Sequence, residues 1–473
     1  MGLQPREIAE STGNWIKQNK TFTAIITAFA VSQAYILTQI WTHPLIWDTS
    51  IYWGMGKALF SGNQIGLWEQ FRPPMLPIIL GTLWKLGMPA EGFTRLMAVL
   101  FSTAGLTGIY LMAKDLYTKK VAAYTVGIIA ASITFAYYTN MLLTGIPASF
   151  LVFTSIYLAT KKKHLSAGII GGLAFLTRFP AALVGPAAVL YIAYTYRNEI
   201  QQMLVQASKY TAGFFAVAIP YMAANHYFYS SALQPFIRGF SIPASTQSTY
   251  LYGVFYMFNG IKASIFLALL PVGLYMILKY REKKYYGFTA ALTLLYGFFT
   301  YFPRKEVRFI LLFLPLMAIV SARGLEEVVE RVQHEKITSE RKNMLVAAVF
   351  VVIILFAGFQ VYQQKQWVNQ NQVDFYRAHS NLTGSVAAND AQIMPYGDFK
   401  YLAMPPLSLE AHYEMAQEEA DYFSINTCAW YCFPGDEECK QRIENYEENV
   451  SENYANVYQD HGEQCQYDIY RVN

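Results

Sequence analysis

Nine apolar segments of bilayer-crossing or near-crossing length follow one another between residues 21 and 364, and they constrain the fold more than any other feature. They lie near 21–41, 94–113, 121–138, 141–160, 206–226, 261–280, 285–302, 308–322 and 344–364. A spanning helix needs about 20 mostly apolar residues, because each residue rises about 1.5 Å against a hydrocarbon core of about 30 Å. A tenth stretch, 165–195, is too long for one crossing and is interrupted at Arg178 and Pro180. It reads as two short helices meeting at a polar turn, which brings the expected total to about eleven crossings. Only 14% of the residues are charged, where soluble domains carry about 25%. Soluble globular, disordered and nucleic-acid-binding classes are thereby excluded.

The small net charge of +4 conceals two unlike parts. From Lys365 onward there are 6 basic and 18 acidic residues, which leaves 30 basic and 14 acidic residues in 1–364. The expected organisation is a transmembrane catalytic part, 1–364, followed by an acidic extracytoplasmic α/β or α+β domain, 365–473. All four cysteines (Cys428, Cys432, Cys439 and Cys465) lie in the second part. An even set in a small domain reads as two disulfides formed in an oxidising compartment, with three pairings open. Zinc is the rival reading, but Cys428 and Cys432 are spaced CxxxC and no pair of CxxC motifs is present. Sequons at Asn381-Leu-Thr383 and Asn449-Val-Ser451 point to the same compartment.

Cationic loops set the expected orientation, since short cytosolic loops concentrate Lys and Arg. The clusters are Lys114/Lys119/Lys120, Lys161–Lys163, Arg281/Lys283/Lys284 and Arg331/Lys336/Arg341/Lys342. All four face the cytosol only if residues 73–87 do not cross, making 42–93 one long external loop with interfacial or re-entrant helices. The N-terminus then lies inside and the cysteine domain outside, in a multi-pass plasma-membrane protein. A polar segment of about twenty residues precedes the first apolar run, without the small-residue cleavage site of a signal peptide.

Charges at the external side of such a chain are costly and mark candidate chemistry. The external carboxylates ahead of the acidic domain are Asp48, Glu69, Glu91 and Glu306, against a larger basic set that includes Lys57, Arg72, Arg95, Arg178, Arg304, Lys305 and Arg308. Few acids facing many arginines suits the departure of a phosphate, which needs cations, under attack by a hydroxyl, which needs a base. Asp48 opens a segment with Ile51, Met55, Leu59 and Phe60 at helical spacing, read as an amphipathic helix on the membrane; the structural reading of Asp48 is its N-cap. Arg72 precedes Pro73 and Pro74, which stiffen the start of the next helix; its structural reading is a snorkelling anchor.

Asp48 with Tyr52 four residues on, Gly62 closing a short helix, and Arg72-Pro73-Pro74 resemble the first external loop of GT-C glycosyltransferases. The resemblance is to the family 39-like group of protein mannosyltransferases and aminoarabinose transferases. It extends in order through GIIGGLAFLTRFPAAL (168–183), NHYFYSSALQPF (225–236) and PRKEVRFILLFLPLMAIVSARGL (303–325), covering roughly residues 20–325. It implies transfer of a sugar, mannose or a related one, from a polyprenyl-phosphate donor to a hydroxyl of a protein, lipid or glycan acceptor at the outer face of the membrane. Asp48 would be the base, Arg72 and Arg308 would lie near the lipid phosphate, and Tyr52, Glu69, Arg178, Lys305 and Glu306 would complete the substrate site.

Two departures bear on the acceptor. Thr49 stands where many members have Glu, and Thr144 or Gly145 stands where many have a second acid. No metal ligand set is assigned, and a divalent ion is left open. With acids this scarce, direct displacement with inversion is expected. The alternative class is a transporter or flippase of lipid-linked sugars, against which stand the long first loop and the lack of an inverted repeat.

Overall fold

The computed structural model describes residues 14–244, 254–302, 304–331, 338–365, 370–404, 409–430, 432, 435–462 and 464–472. The first helices are α1 (Lys20–Gln39), α2 (Trp47–Ser61), α3 (Met75–Lys85), α4 (Ala90–Leu116), α5 (Lys119–Ala130) and α6 (Ile133–Thr139). Next come α7 (Gly145–Thr160), α8 (His164–Thr177), α9 (Val184–Thr195), α10 (Ile200–Tyr229), α11 (Gln234–Ala244) and α12 (Phe255–Ala263). The helical part closes with α13 (Leu270–Lys279), α14 (Tyr286–Tyr301), α15 (Leu314–Arg331) and α16 (Ser339–Lys365). After it come α17 (Gln370–Ala378), β1 (Ser385–Ala388), β2 (Lys400–Ala403), α18 (Leu409–Glu419), β3 (Tyr422–Asn426), α19 (Glu437–Asn453), β4 (Ala455–His461) and β5 (Gln466–Arg471). Residues 245–253, between α11 and α12, lie outside the described set.

The chain forms two compact units. One comprises 1–39, 71–73 and 96–363, and the other 40–70, 74–95 and 364–473.

The first unit is helical. Every residue of α15 from Leu314 to Glu326 except Arg323 is buried, and a helix apolar on all sides belongs inside a core. Helices α8 and α10 cross at glycines: a Cβ on Gly168 would meet the Tyr210 carbonyl oxygen at 2.0 Å, and one on Gly213 the Leu165 carbonyl oxygen at 2.3 Å. Small residues let helix backbones approach this closely in membranes.

Among the described residues, three helices are long and apolar enough to cross a membrane: Lys20–Gln39, Ala90–Leu116 and Glu340–Gln363. A fourth span is reached if α5 and α6, bent by 69° at their junction, count as one. By length and composition three or four spans are clear, and several of the other expected runs form shorter apolar helices, among them Gly145–Thr160, His164–Thr177 and Ile265–Lys279. Ser132 caps α6 through the Phe135 amide, and Arg178 at φ −155° ends α8 ahead of a 3-10 turn over Phe179–Leu183. The break expected at Arg178 is therefore present.

The second unit is built on a five-stranded sheet in the order β2-β1-β3-β5-β4. β1 is parallel to β2 and β3, while β5 is antiparallel to β3 and β4. Phe423, Ile425, Tyr446 and Tyr470 are among the side chains of its core. Both disulfides form, Cys428–Cys465 and Cys432–Cys439. The first loop is part of this unit. Gly66 bonds to edge strand β2, donating to the Phe399 carbonyl at 2.8 Å and accepting from the Tyr401 amide at 3.0 Å. Gly66 has φ +78°, and a Cβ there would meet the Gly54 carbonyl oxygen at 2.2 Å, so only glycine fits.

Helix α2 is not the half-exposed amphipathic helix the apolar spacing suggests. Thr49 through Ala58 are all buried, because the chain around Met394–Asp398 covers a face that spacing alone leaves to solvent. Helix α3 has 11 residues, about half the length of a crossing.

Candidate active site

Asp48 lies in the first turn of α2, where the helix dipole favours a carboxylate. It is not the N-cap. Ile46 holds that position, extended at φ −70° and ψ 158°, with no side-chain hydrogen bond to the helix end. Asp48 is half-buried, and Tyr52 one turn on is buried on the same face. Glu69 is half-buried beyond Gly66. It faces Tyr401, whose hydroxyl is held well above the ordinary phenol range by burial first, then by Asp390 and Glu69.

The backbone ahead of α2 is held from outside that helix. Arg95 Nη2 donates to the Pro44 carbonyl at 2.6 Å, and Gln392 Nε2 donates to the Leu45 carbonyl at 2.8 Å. Farther along, the buried Lys57 ammonium donates to the carbonyls of Gly397 at 2.8 Å and Pro395 at 3.4 Å, and pairs with Asp398 at 3.0 Å. Asp398 also accepts from Trp84 Nε1 at 3.1 Å, tying in α3. Gln392 was not legible as a site residue, and Arg95 and Lys57 were legible only as basic residues at external depth. A lysine inside the small-residue run GMGKAL was the one local signal.

The remaining candidates belong to the helical unit. Arg72 is half-buried, with its guanidinium carbon 5.7 Å from the Phe71 ring centre. The Phe71 carbonyl lies against Gly239 of α11. Arg178 and Arg308 converge on one ring, their guanidinium carbons 5.1 and 5.9 Å from the centre of Phe309. Arg178 Nη1 donates to Thr144 Oγ1 at 3.0 Å. Thr144 is, with Gly145, one of the two residues standing where the resemblance would have an acid, and its hydroxyl meets the guanidinium as a neutral acceptor. Glu306 pairs with Arg304 and Arg308.

Lys305 behaves otherwise. Its ammonium donates to the carbonyls of Phe299 at 2.8 Å, Thr300 at 2.7 Å and Phe302. An ammonium has three donors, and here they close the C-terminal end of α14. Arg178 and Arg308 both lie against Phe309. Among the described residues, no group of three or more His, Cys, Asp or Glu side chains is placed to hold a metal ion.

The sequence pattern of the Alg9-like mannosyltransferase family matches residues 78–385, well over half of the chain. The chain belongs to that family. Its architecture is shared with solved GT-C glycosyltransferases. ArnT from Cupriavidus metallidurans, solved bound to undecaprenyl phosphate, superposes with a TM-score of 0.67 over 97% of this chain and 98% of that one, at 12% identity. The oligosaccharyltransferase of Archaeoglobus fulgidus, solved in the apo form, gives 0.58 over 87% of this chain and 70% of that one, also at 12% identity. Among curated proteins, none matches the chain by sequence. This member of the Alg9-like mannosyltransferase family is thus an integral membrane glycosyltransferase with a GT-C fold and a small disulfide-bonded C-terminal sheet.

Proposed function

We propose that the enzyme moves mannose from a polyprenyl-phosphate carrier to an acceptor hydroxyl at the extracytoplasmic face of the plasma membrane, with inversion at the anomeric carbon. The observation that carries this reading is the pair Arg178 and Arg308, both within 6 Å of the centre of the Phe309 ring, with Thr144 as a neutral anchor for the first. Guanidinium groups match phosphate oxygens in two-point contacts and stay charged. The family adds mannosyl transfer, and the lipid bound by the ArnT structure is a polyprenyl phosphate.

In the proposed reaction the acceptor oxygen attacks the anomeric carbon while its proton passes to Asp48. The bond from that carbon to the phosphate oxygen breaks, and the polyprenyl phosphate leaves with the electron pair. Arg72, Arg178 and Arg308 bind the leaving phosphate more strongly as its charge grows, which lowers the barrier. Tyr52 and Glu69 in the second unit, and Glu306 in the first, are the proposed contacts to sugar and acceptor. The protein spans the membrane about eleven times with its N-terminus cytosolic. Residues 1–364 carry the catalytic groups, and 365–473 form the outer domain that shapes access of a protein, lipid or glycan acceptor.

The test is transfer from radiolabelled polyprenyl-phosphate mannose to membrane or protein acceptors, with the wild type beside Asp48→Asn. Loss of a general base costs about 10²- to 10⁴-fold, so the variant should bind the donor normally and lose transfer by that factor. Equal transfer by both proteins would refute the assignment of the base. Intact lipid binding without transfer of any sugar would refute the enzyme reading and favour a transporter.

A further inference from the structure

We propose that Gln392 and Arg95 are positioning residues, which set the Asp48 carboxylate by holding the two carbonyls immediately ahead of its helix. The inference rests on the reading of Asp48 as the base. Helix α2 opens without a side-chain cap, and a missing cap leaves the first turn about 1 kcal/mol more prone to fray. Asp48 sits in that turn, so fraying moves the carboxylate. The Arg95 bond to Pro44 and the Gln392 bond to Leu45 act on the two residues before the uncapped Ile46.

Each donor is itself anchored. The Gln392 backbone N–H donates to Asp390 Oδ1 at 2.9 Å. Asp390 Oδ2 accepts from Tyr376 Oη at 2.6 Å and from Asn426 Nδ2 at 2.7 Å. A hydrogen-bonded chain therefore runs from the end of β3 through Asp390 and Gln392 to the start of α2. Arg95 is 5% exposed and projects from the second turn of α4, with Glu91 one turn back as its charged neighbour. Bringing an arginine out of water to meet a peptide carbonyl is costly, and the position of that carbonyl is what it secures. The C-terminal domain thus takes part in catalysis by fixing the base, in addition to shaping access to the site.

The test uses the full-length protein in lipid nanodiscs, with polyprenyl-phosphate mannose as the donor. Gln392→Ala removes the donor group. Gln392→Glu keeps the shape and, when ionised, turns a donor into an acceptor facing the Leu45 carbonyl. Arg95→Met removes the second contact. Misplacing a catalytic group by about 1 Å costs about 100-fold. Each Gln392 variant should lower kcat about 10- to 100-fold with the donor KM unchanged within about threefold. Amide hydrogen exchange over residues 47–51 should quicken while the melting temperature stays near wild type.

Unchanged kcat and unchanged exchange in both Gln392 variants would overturn the proposal. So would a loss of kcat that follows only a loss of thermal stability, as a purely structural contact would give. Should Arg95→Met fail to fold, the two Gln392 variants still decide the matter. Full transfer by Asp48→Asn would instead remove the base on which the proposal rests. The exchange data separate that failure from this one, because they report the helix start independently of transfer.

Discussion

Lys57 donates to the Gly397 carbonyl at 2.8 Å across 340 residues of chain, with 2% of its side chain exposed. Burial lowers the ammonium pKa, and Asp398 opposes that shift. The lysine thus joins the helix that carries Asp48 to the loop between β1 and β2.

Replacing Lys57 separates the carbonyl contacts from the ion pair. Lys57→Met keeps most of the apolar stem but leaves buried carbonyls without their donor, which costs about 1–3 kcal/mol. Asp398 is 59% exposed, and pairs open to solvent contribute about 0–1 kcal/mol. In thermal unfolding, Lys57→Met should lower the midpoint by several degrees and Asp398→Asn by little. The reverse order would make the ion pair the dominant contact.

The arginine pair at Phe309 predicts a ranking of activities. Arg178→Lys keeps a cation but loses the planar fork that meets phosphate at two points, so kcat should fall about tenfold. Arg178→Ala should fall about 10²- to 10³-fold, as for removal of a preorganised charge partner. Single-turnover rates at saturating donor measure this. A fully active Arg178→Lys would show that a point charge suffices.

The two disulfides should differ in weight. Cys428–Cys465 closes 37 residues and Cys432–Cys439 closes 7. Loop-closure entropy assigns about 4 kcal/mol to the first and about 2 kcal/mol to the second. Paired Cys→Ser variants compared by thermal unfolding should show the larger loss for Cys428/Cys465. Equal losses would point to local packing around each bridge as the controlling factor.

His379 makes the C-terminal domain acid-sensitive. It is fully buried between the Phe375 carbonyl at 2.9 Å and Ser424 Oγ at 2.8 Å. Burial pushes its pKa down from 6.5 to about 4. The unfolded chain therefore takes up a proton that the folded domain refuses, so its contribution is complete above about pH 6.5 and is lost as pH falls toward 4. The full loss is about 3 kcal/mol. Burial raises the carboxyl pKa values of Asp390, Glu447 and Asp468, and those contributions have the opposite sign, being lost as pH rises. They are common to wild type and His379→Gln, so the difference in unfolding midpoint between the two, from pH 7 to 4.5, isolates His379. A slope unchanged by the substitution would overturn the assignment.

What could be read from the residues alone was what depends on neighbours in the chain. Apolar runs, lysine clusters, the acidic shift after Lys365 and the confinement of all cysteines to one end are local sums, and they led to a membrane protein with a disulfide-bonded appendix; the glycosyltransferase reading came from the resemblance of its loop motifs. The break at Arg178 was legible for the same reason, since a charged residue followed within two positions by a proline favours the start of a new helix over the continuation of an apolar run. Helix lengths were less legible, because residues such as Ser132 and Ser264 bend or end helices inside runs whose composition stays apolar.

Tertiary structure alone decided the rest. Three cysteine pairings satisfied the sequence equally, and the sheet brought Cys428 to Cys465 and Cys432 to Cys439. Lys305 and Arg308 stand three residues apart, and the fold gives them different surroundings: the first donates to carbonyls at the end of α14, and the second faces Phe309. The grouping of 40–70 with 364–473 depends on Gly66 meeting β2, and on Gln392 reaching Leu45 across 347 residues. No spacing rule spans such a distance, because a contact of that kind exists only once both segments have folded into shapes that bring donor and carbonyl together.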